Sequence, residues 1–216
     1  MNKDQFRKKG YCVVKSAISP ELRDFLTQYA LFDEMQNFTP DVYQVPTAHS
    51  VGSDPAMETL LLLLQDIMEE NTGLTLFPTY SFFRVYRDGD ILHPHTDRPS
   101  CEISATLCFN YSYDGAEYLW PIYMENEPIG LTPGDMVIYR GCDLDHRRDE
   151  FIPPVEDQWQ VQGFFHYVNA NGPYAEYKYD KRESIGSLAT PLLSNSKSSP
   201  DNQNQGAKQS YIEYTK

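Results

Sequence analysis

A chain of 216 residues with 40% hydrophobic and 13% aromatic side chains can bury the core of one ordinary domain. Its formal charge of −13, from 18 Lys and Arg against 31 Asp and Glu, argues against nucleic acid as a partner, because such binders carry a basic face. Cys12, Cys101, Cys108 and Cys142 lack C-x-x-C spacing, the N-terminus opens no apolar leader, and the leucine run 60–64 is too short for a bilayer. The expectation is a cytoplasmic, soluble protein with reduced thiols and no membrane partner.

In chain order, residues 5–16 read as a first strand, with Gly10 as a break and Tyr11-Cys12-Val13-Val14 β-prone. Ser19-Pro20-Glu21 opens a helix with an N-cap, a proline at its first position and an acid in the first turn. Leu22, Phe25, Leu26, Tyr29 and Phe32 then recur at helical spacing and predict one apolar face. Residues 37–53, with Pro40, Pro46 and Gly52, read as a loop and a candidate lid, and His49 within them as an ordinary surface histidine. Asp54-Pro55 opens a second helix to about Glu70, with Met57, Leu60, Leu61, Leu64 and Met68 buried and Gly73 just past its end.

From Thr79 the periodicity changes to that of strands, expected at 79–87, 91–97, 103–111, 117–123, 135–140 and 158–168 with Asp-Gly and Pro-Gly turns between them. Two helices followed by about seven strands predict a mainly β protein with flanking helices. That is a jelly-roll or double-stranded β-helix whose helices cover one outer face. Residues 187–216 are rich in Ser, Asn, Gln and Lys, so the division is a folded domain over 1–186 and a low-complexity tail over 187–216.

The chemistry concentrates at His93-Pro94-His95-Thr96-Asp97-Arg98. His95 and Asp97, two apart on an expected strand, face one way, and His146 follows the later strand Asp135-Met136-Val137-Ile138-Tyr139-Arg140. Two imidazoles and one carboxylate leave one face of an octahedral metal open, the ligand set of non-haem Fe(II) oxygenases. His93 competes with His95, but a cupin-type site would need a glutamate where Pro99 and Ser100 stand. The expected ligands are His95, Asp97 and His146, with His93 as a group beside them. His166 and the two tryptophans read as structural.

Arg84-Val85-Tyr86-Arg87-Asp88-Gly89-Asp90, then His95-Thr96-Asp97-Arg98-Pro99-Ser100, then Pro133-Gly134-Asp135 and His146 resemble the 2-oxoglutarate/Fe(II)-dependent dioxygenases, nearest to their prolyl-4-hydroxylase-like branch. The resemblance covers roughly residues 6–168. It implies a double-stranded β-helix fold, Fe(II), 2-oxoglutarate as cosubstrate, O2, and ascorbate as an accessory reductant. It also implies hydroxylation of a C–H bond, with peptidyl proline as substrate class and a free amino acid or other small molecule as the alternative. A cupin-type metalloenzyme and a non-catalytic metal-binding jelly-roll module are the rivals.

One departure stands out. The family places a Lys or Arg for the cosubstrate's far carboxylate shortly after the distal histidine, where this chain has Pro153, Pro154, Val155, Glu156 and Asp157. No Lys or Arg lies between Arg148 and Lys178. The anchor is therefore expected from Arg84, then Arg148, then Arg98, with Arg98–Glu102 pairing as the structural alternative. Tyr86 matches a pocket tyrosine of the family, and Thr106 and Asn110 are candidates for further hydrogen bonds.

Overall fold

Glycine at position 10 decides how the chain begins. Its φ of +77° breaks the first segment, and the computed structural model, which describes residues 2–186, places helix α1 (Asn2–Lys9) before it and strand β1 (Tyr11–Val14) after it. The single strand expected over 5–16 is thus corrected. Asp4 in the first turn of α1 and Arg7, Lys8 and Lys9 in the last complement the helix dipole. The tail expected over 187–216 lies outside the described residues.

Helix α2 (Pro20–Asn37) starts where Ser19 Oγ accepts the Leu22 amide, and α3 (Pro55–Thr72) where Asp54 accepts those of Ala56 and Met57. Gly73 ends α3 at φ +74°, its N–H returning to Glu69 O at 2.8 Å. The five α3 side chains expected in the core are all there. On α2 the face is turned: Leu26, Thr27 and Ala30 are buried, Leu22 and Tyr29 lie at the edge, and Phe25 and Phe32 are exposed. The five apolar positions cover a wider arc than the narrow line along which α2 touches the sheet. No helix among the described residues is long and apolar enough to cross a membrane.

The strands are antiparallel in two sheets. Six form the order β1-β8-β5-β10-β3-β2, with β2 (His49–Gly52), β3 (Leu76–Arg87), β5 (Ile103–Tyr111), β8 (Met136–Arg140) and β10 (Trp159–Asn169). Four form β4-β9-β6-β7, with β4 (Leu92–His95), β6 (Ile122–Met124), β7 (Glu127–Ile129) and β9 (His146–Arg148). The strand expected at 117–123 is confined to β6, β2 lies inside the expected loop 37–53, and β7 and β9 are additional.

Period-two alternation divides the large sheet. Phe83, Val85, Ala105, Leu107, Ile138, Val161 and Phe165 pack with the helices in the main core. Their neighbours in sequence (Phe82, Arg84, Tyr86, Thr106, Cys108, Gln162, Phe164 and His166) are left for the other face, toward the small sheet. On that face Arg84, Thr106, Gln162 and His166 are polar side chains buried in the interior, which is unusual for a core and sets the stage for a site.

Candidate metal centre and its pocket

β4 and β9 are paired so that His95 stands opposite His146, and their rings approach to 4.3 Å between centroids. Asp97 lies just beyond β4, where its amide donates to Gly141 O at 2.8 Å. The strand ends earlier than the expected 91–97, yet the turn after it still delivers the carboxylate. Asp97 Oδ1 sits 3.8 Å from His95 Nε2 and 3.6 Å from His146 Nε2. Gly141 makes room for this approach: a Cβ there would fall 2.3 Å from Asp97 Oδ2.

Both imidazoles are oriented by their own backbone. His95 Nδ1 donates to His93 O at 2.8 Å and His146 Nδ1 to Leu144 O at 3.0 Å. A carbonyl only accepts, so each Nδ1 carries the proton and each Nε2 offers a lone pair toward the common point. His93 thus contributes its carbonyl, while its imidazole is exposed.

Burial pushes the Asp97 carboxyl upward, but His146, His166 and the Ser104 hydroxyl at 3.0 Å hold it below the ordinary range. Burial and the neighbouring His146 lower the pKa of His95; burial lowers that of His146 too, but Asp97 outweighs it and the net direction is up. Two nitrogens and one carboxylate oxygen, mutually within 4.8 Å, make a donor set that fits a divalent transition metal with open positions. Asp97, Cys101 and His166 form a second such group, but burial raises the Cys101 thiol far above neutrality and leaves it a poor ligand.

The triad opens into a cavity of about 750 Å3 whose wall includes Tyr80, Phe82, Arg84, Phe164 and His166 and a strap at residues 39–44. The strap reaches inward. Asp41 pairs with Arg84, Gln44 Oε1 accepts from Arg84 at 2.9 Å, and Gln44 Nε2 stands 3.0 Å from His95 Nε2. The expected surface histidine, His49, is instead fully buried: it accepts the Thr39 amide at 2.9 Å, faces Asp33 at 3.1 Å and packs on Phe83, pinning the strap's stem.

The three candidate arginines have different surroundings. Arg84 is 1% exposed, bonded to Tyr86 Oη at 2.8 Å as well as to Asp41. Arg148, opposite Leu92 in the β4–β9 pair, is also 1% exposed; one nitrogen donates to Trp120 O at 3.0 Å, and the guanidinium lies over the Trp120 ring at 4.7 Å and Tyr86 at 5.8 Å. Its Nε and other terminal nitrogen meet no acceptor among the described residues, and neither does Gln162 Nε2. Arg98 is tied to Asp180 by two hydrogen bonds of 2.6 and 2.9 Å at the rim, not to Glu102, which instead accepts the Asn169 amide. Thr106 donates to Gln162 Oε1 at 3.0 Å, while Asn110 accepts the amide of its neighbour Tyr111 and does not line the cavity. Asp41, Gln44, Gln162 and Gly141 carried no sequence signal, since their roles come from contacts between segments distant in the chain.

No family model matches the sequence, and no curated protein matches it. Solved structures do. A prolyl-4-hydroxylase from Pseudomonas putida superposes with a TM-score of 0.58 at 15% identity, over 77% of this chain and 98% of that one. The α-ketoglutarate-dependent epimerase SnoN of nogalamycin biosynthesis gives 0.65 at 12%, over 88% and 90%. HygX from Streptomyces hygroscopicus, with nickel and 2-oxoglutarate bound, gives 0.59 at 10%, over 78% and 86%. The chain has the mainly antiparallel jelly-roll fold of these proteins, as the order of helices and strands led one to expect.

Proposed function

We propose that the chain is an Fe(II)- and 2-oxoglutarate-dependent oxygenase that hydroxylates a C–H bond. What supports this above all is the convergence of His95, Asp97 and His146, both imidazoles presenting Nε2 lone pairs beside one carboxylate oxygen. The fold shared with an enzyme bound to nickel and 2-oxoglutarate agrees with it. When bound, iron, 2-oxoglutarate and O2 supply an oxidative decarboxylation that yields succinate and CO2 and oxidises the substrate. The iron would be held by His95 Nε2, the Asp97 carboxylate and His146 Nε2.

The chain's own groups do the rest. Arg148 is the anchor for the cosubstrate's far carboxylate, ahead of Arg84, because a buried guanidinium with unmet donors needs an anion and Arg84 already has Asp41. Gln162 offers that carboxylate a further N–H. The stacked rings of Phe82 and Phe164, 4.3 Å apart, give the space beside the triad an apolar wall.

Peptidyl proline is one substrate class, suggested by the resemblance and by prolyl hydroxylases among the structural neighbours. A small molecule is the second, in line with the small-molecule pathway named for one structural neighbour, the epimerase SnoN of nogalamycin biosynthesis. Succinate release from 2-oxoglutarate with Fe(II) and ascorbate tests the reaction: wild type should turn over and Asp97→Ala should fall to background. Equal inertness of the two would favour a non-catalytic module. Mass spectrometry of candidate peptides and small acids, searching for one added oxygen atom, identifies the substrate.

A further inference from the structure

Two guanidiniums are buried near the triad, Arg84 in the cavity wall and Arg148 against Trp120 and Tyr86 outside the cavity's lining, and a cosubstrate with a single far carboxylate needs only one of them. Arg84 is the surplus cation, and it stands in the cavity wall beside the triad. We propose that Arg84 binds a carboxylate of the primary substrate, so that the molecule oxidised is a small free acid, and that Asp41 occupies Arg84 until the acid displaces it. The proposal rests on the oxygenase reading and on Arg148 as the cosubstrate's anchor.

Asp41 is suited to give way. One of its oxygens accepts the amides of Tyr43 and Gln44, each at 3.1 Å, and so shapes the strap's own turn; the other faces Arg84. The strap is a surface segment, with Val42 68% and Tyr43 93% exposed. Exchange of one carboxylate for another leaves the buried guanidinium paired throughout. A neutral ligand that displaced Asp41 would strand an unpaired charge in the interior. The site therefore discriminates against an internal peptide residue or an amide and in favour of a free acid.

Shape agrees with charge. The Arg84 guanidinium carbon lies 5.4 and 5.3 Å from the ring centres of Phe82 and Phe164, so an apolar wall adjoins the cation. Gln44 spans from Arg84 at 2.9 Å to His95 Nε2 at 3.0 Å. Anion clamp and metal ligand are thus one carboxamide apart, the reach of a short aliphatic acid whose chain carbons would lie beside the triad. A ligand on that line also takes the place of Gln44.

Calorimetry on the full chain loaded with Mn(II) and saturated with 2-oxoglutarate tests this, with aliphatic L-amino acids supplied as free acids and as carboxamides. At least one free acid should bind roughly 30-fold tighter than its amide, the difference expected for a charge-assisted pair. Arg84→Gln should erase that difference while its 2-oxoglutarate affinity stays within about threefold of wild type, and Asp41→Asn should tighten the acid. Equal binding of acid and amide, or binding of no acid, overturns the proposal. A tenfold or greater loss of 2-oxoglutarate affinity in Arg84→Gln also overturns it, by giving Arg84 to the cosubstrate. Should Arg84→Gln fail to fold, the wild-type comparison and Asp41→Asn decide alone. Failure of wild type to bind 2-oxoglutarate at all is a different result, which sinks the oxygenase reading itself.

Discussion

A guanidinium cannot shed its proton in a protein, so burial of Arg148 with two nitrogens unmet is an energetic liability unless an anion arrives. Its pKa is pushed down by burial, the direction expected of a cation lacking a carboxylate partner. Arg148→Gln should therefore weaken 2-oxoglutarate by roughly 30-fold or more, about 2 kcal/mol, with metal affinity unchanged, as read by calorimetry on Mn(II)-loaded protein. An unchanged affinity would move the anchor to Arg84. The convergence of His95, Asp97 and His146 was legible from sequence because their residue types and spacing are those of a metal-ligand set. The proposed anchor was not: Arg84, Arg148 and Arg98 look alike in one dimension, and only the Asp41 and Asp180 pairs, from distant segments, tell them apart.

At the scale of elements, local chemistry was readable and pairing was not. Ser19-Pro20 and Asp54-Pro55 announced two helix starts, and both caps are formed. Asp54 does more than cap, since its second oxygen accepts the Tyr29 hydroxyl at 2.5 Å and fastens α2 to α3. Asp54→Ala should cost about 1–2 kcal/mol in chemical denaturation, and Asp54→Asn, which keeps a capping oxygen, clearly less. Equal losses would assign the effect to the charge, not the cap. The three-residue strands β7 and β9 are too short to show alternation, so His146 was found through its residue type while its strand was not. The break at Gly10 was read from sequence but helix α1 before it was not, since Asn2–Lys9 buries a single apolar side chain, Phe6, and shows no apolar stripe.

Over the whole molecule, the polar interior sets how stability responds to acid. His166 is buried against Tyr80, its Nδ1 2.9 Å from Ser104 Oγ and its Nε2 unmet, and burial pushes its pKa down to about 4. In the unfolded chain the same group titrates near 6.5, so between those values the unfolded state binds a proton that the folded state refuses. The contribution is fully present above about pH 6.5 and is lost as pH falls toward about 4, with a limit of about 3 kcal/mol. His146 works the other way in metal-free protein: its pKa is raised, so its protonation stabilises below the unfolded value and the benefit fades as pH climbs. Metal ligation needs its Nε2 bare and cancels that compensation. Denaturation at about pH 7.5 and about pH 5 should therefore show a larger acid loss for Mn(II)-loaded than for metal-free protein, and His166→Gln should reduce the loss in both. An acid loss unaffected by His166→Gln would mean that the carboxylates, not this histidine, govern the response.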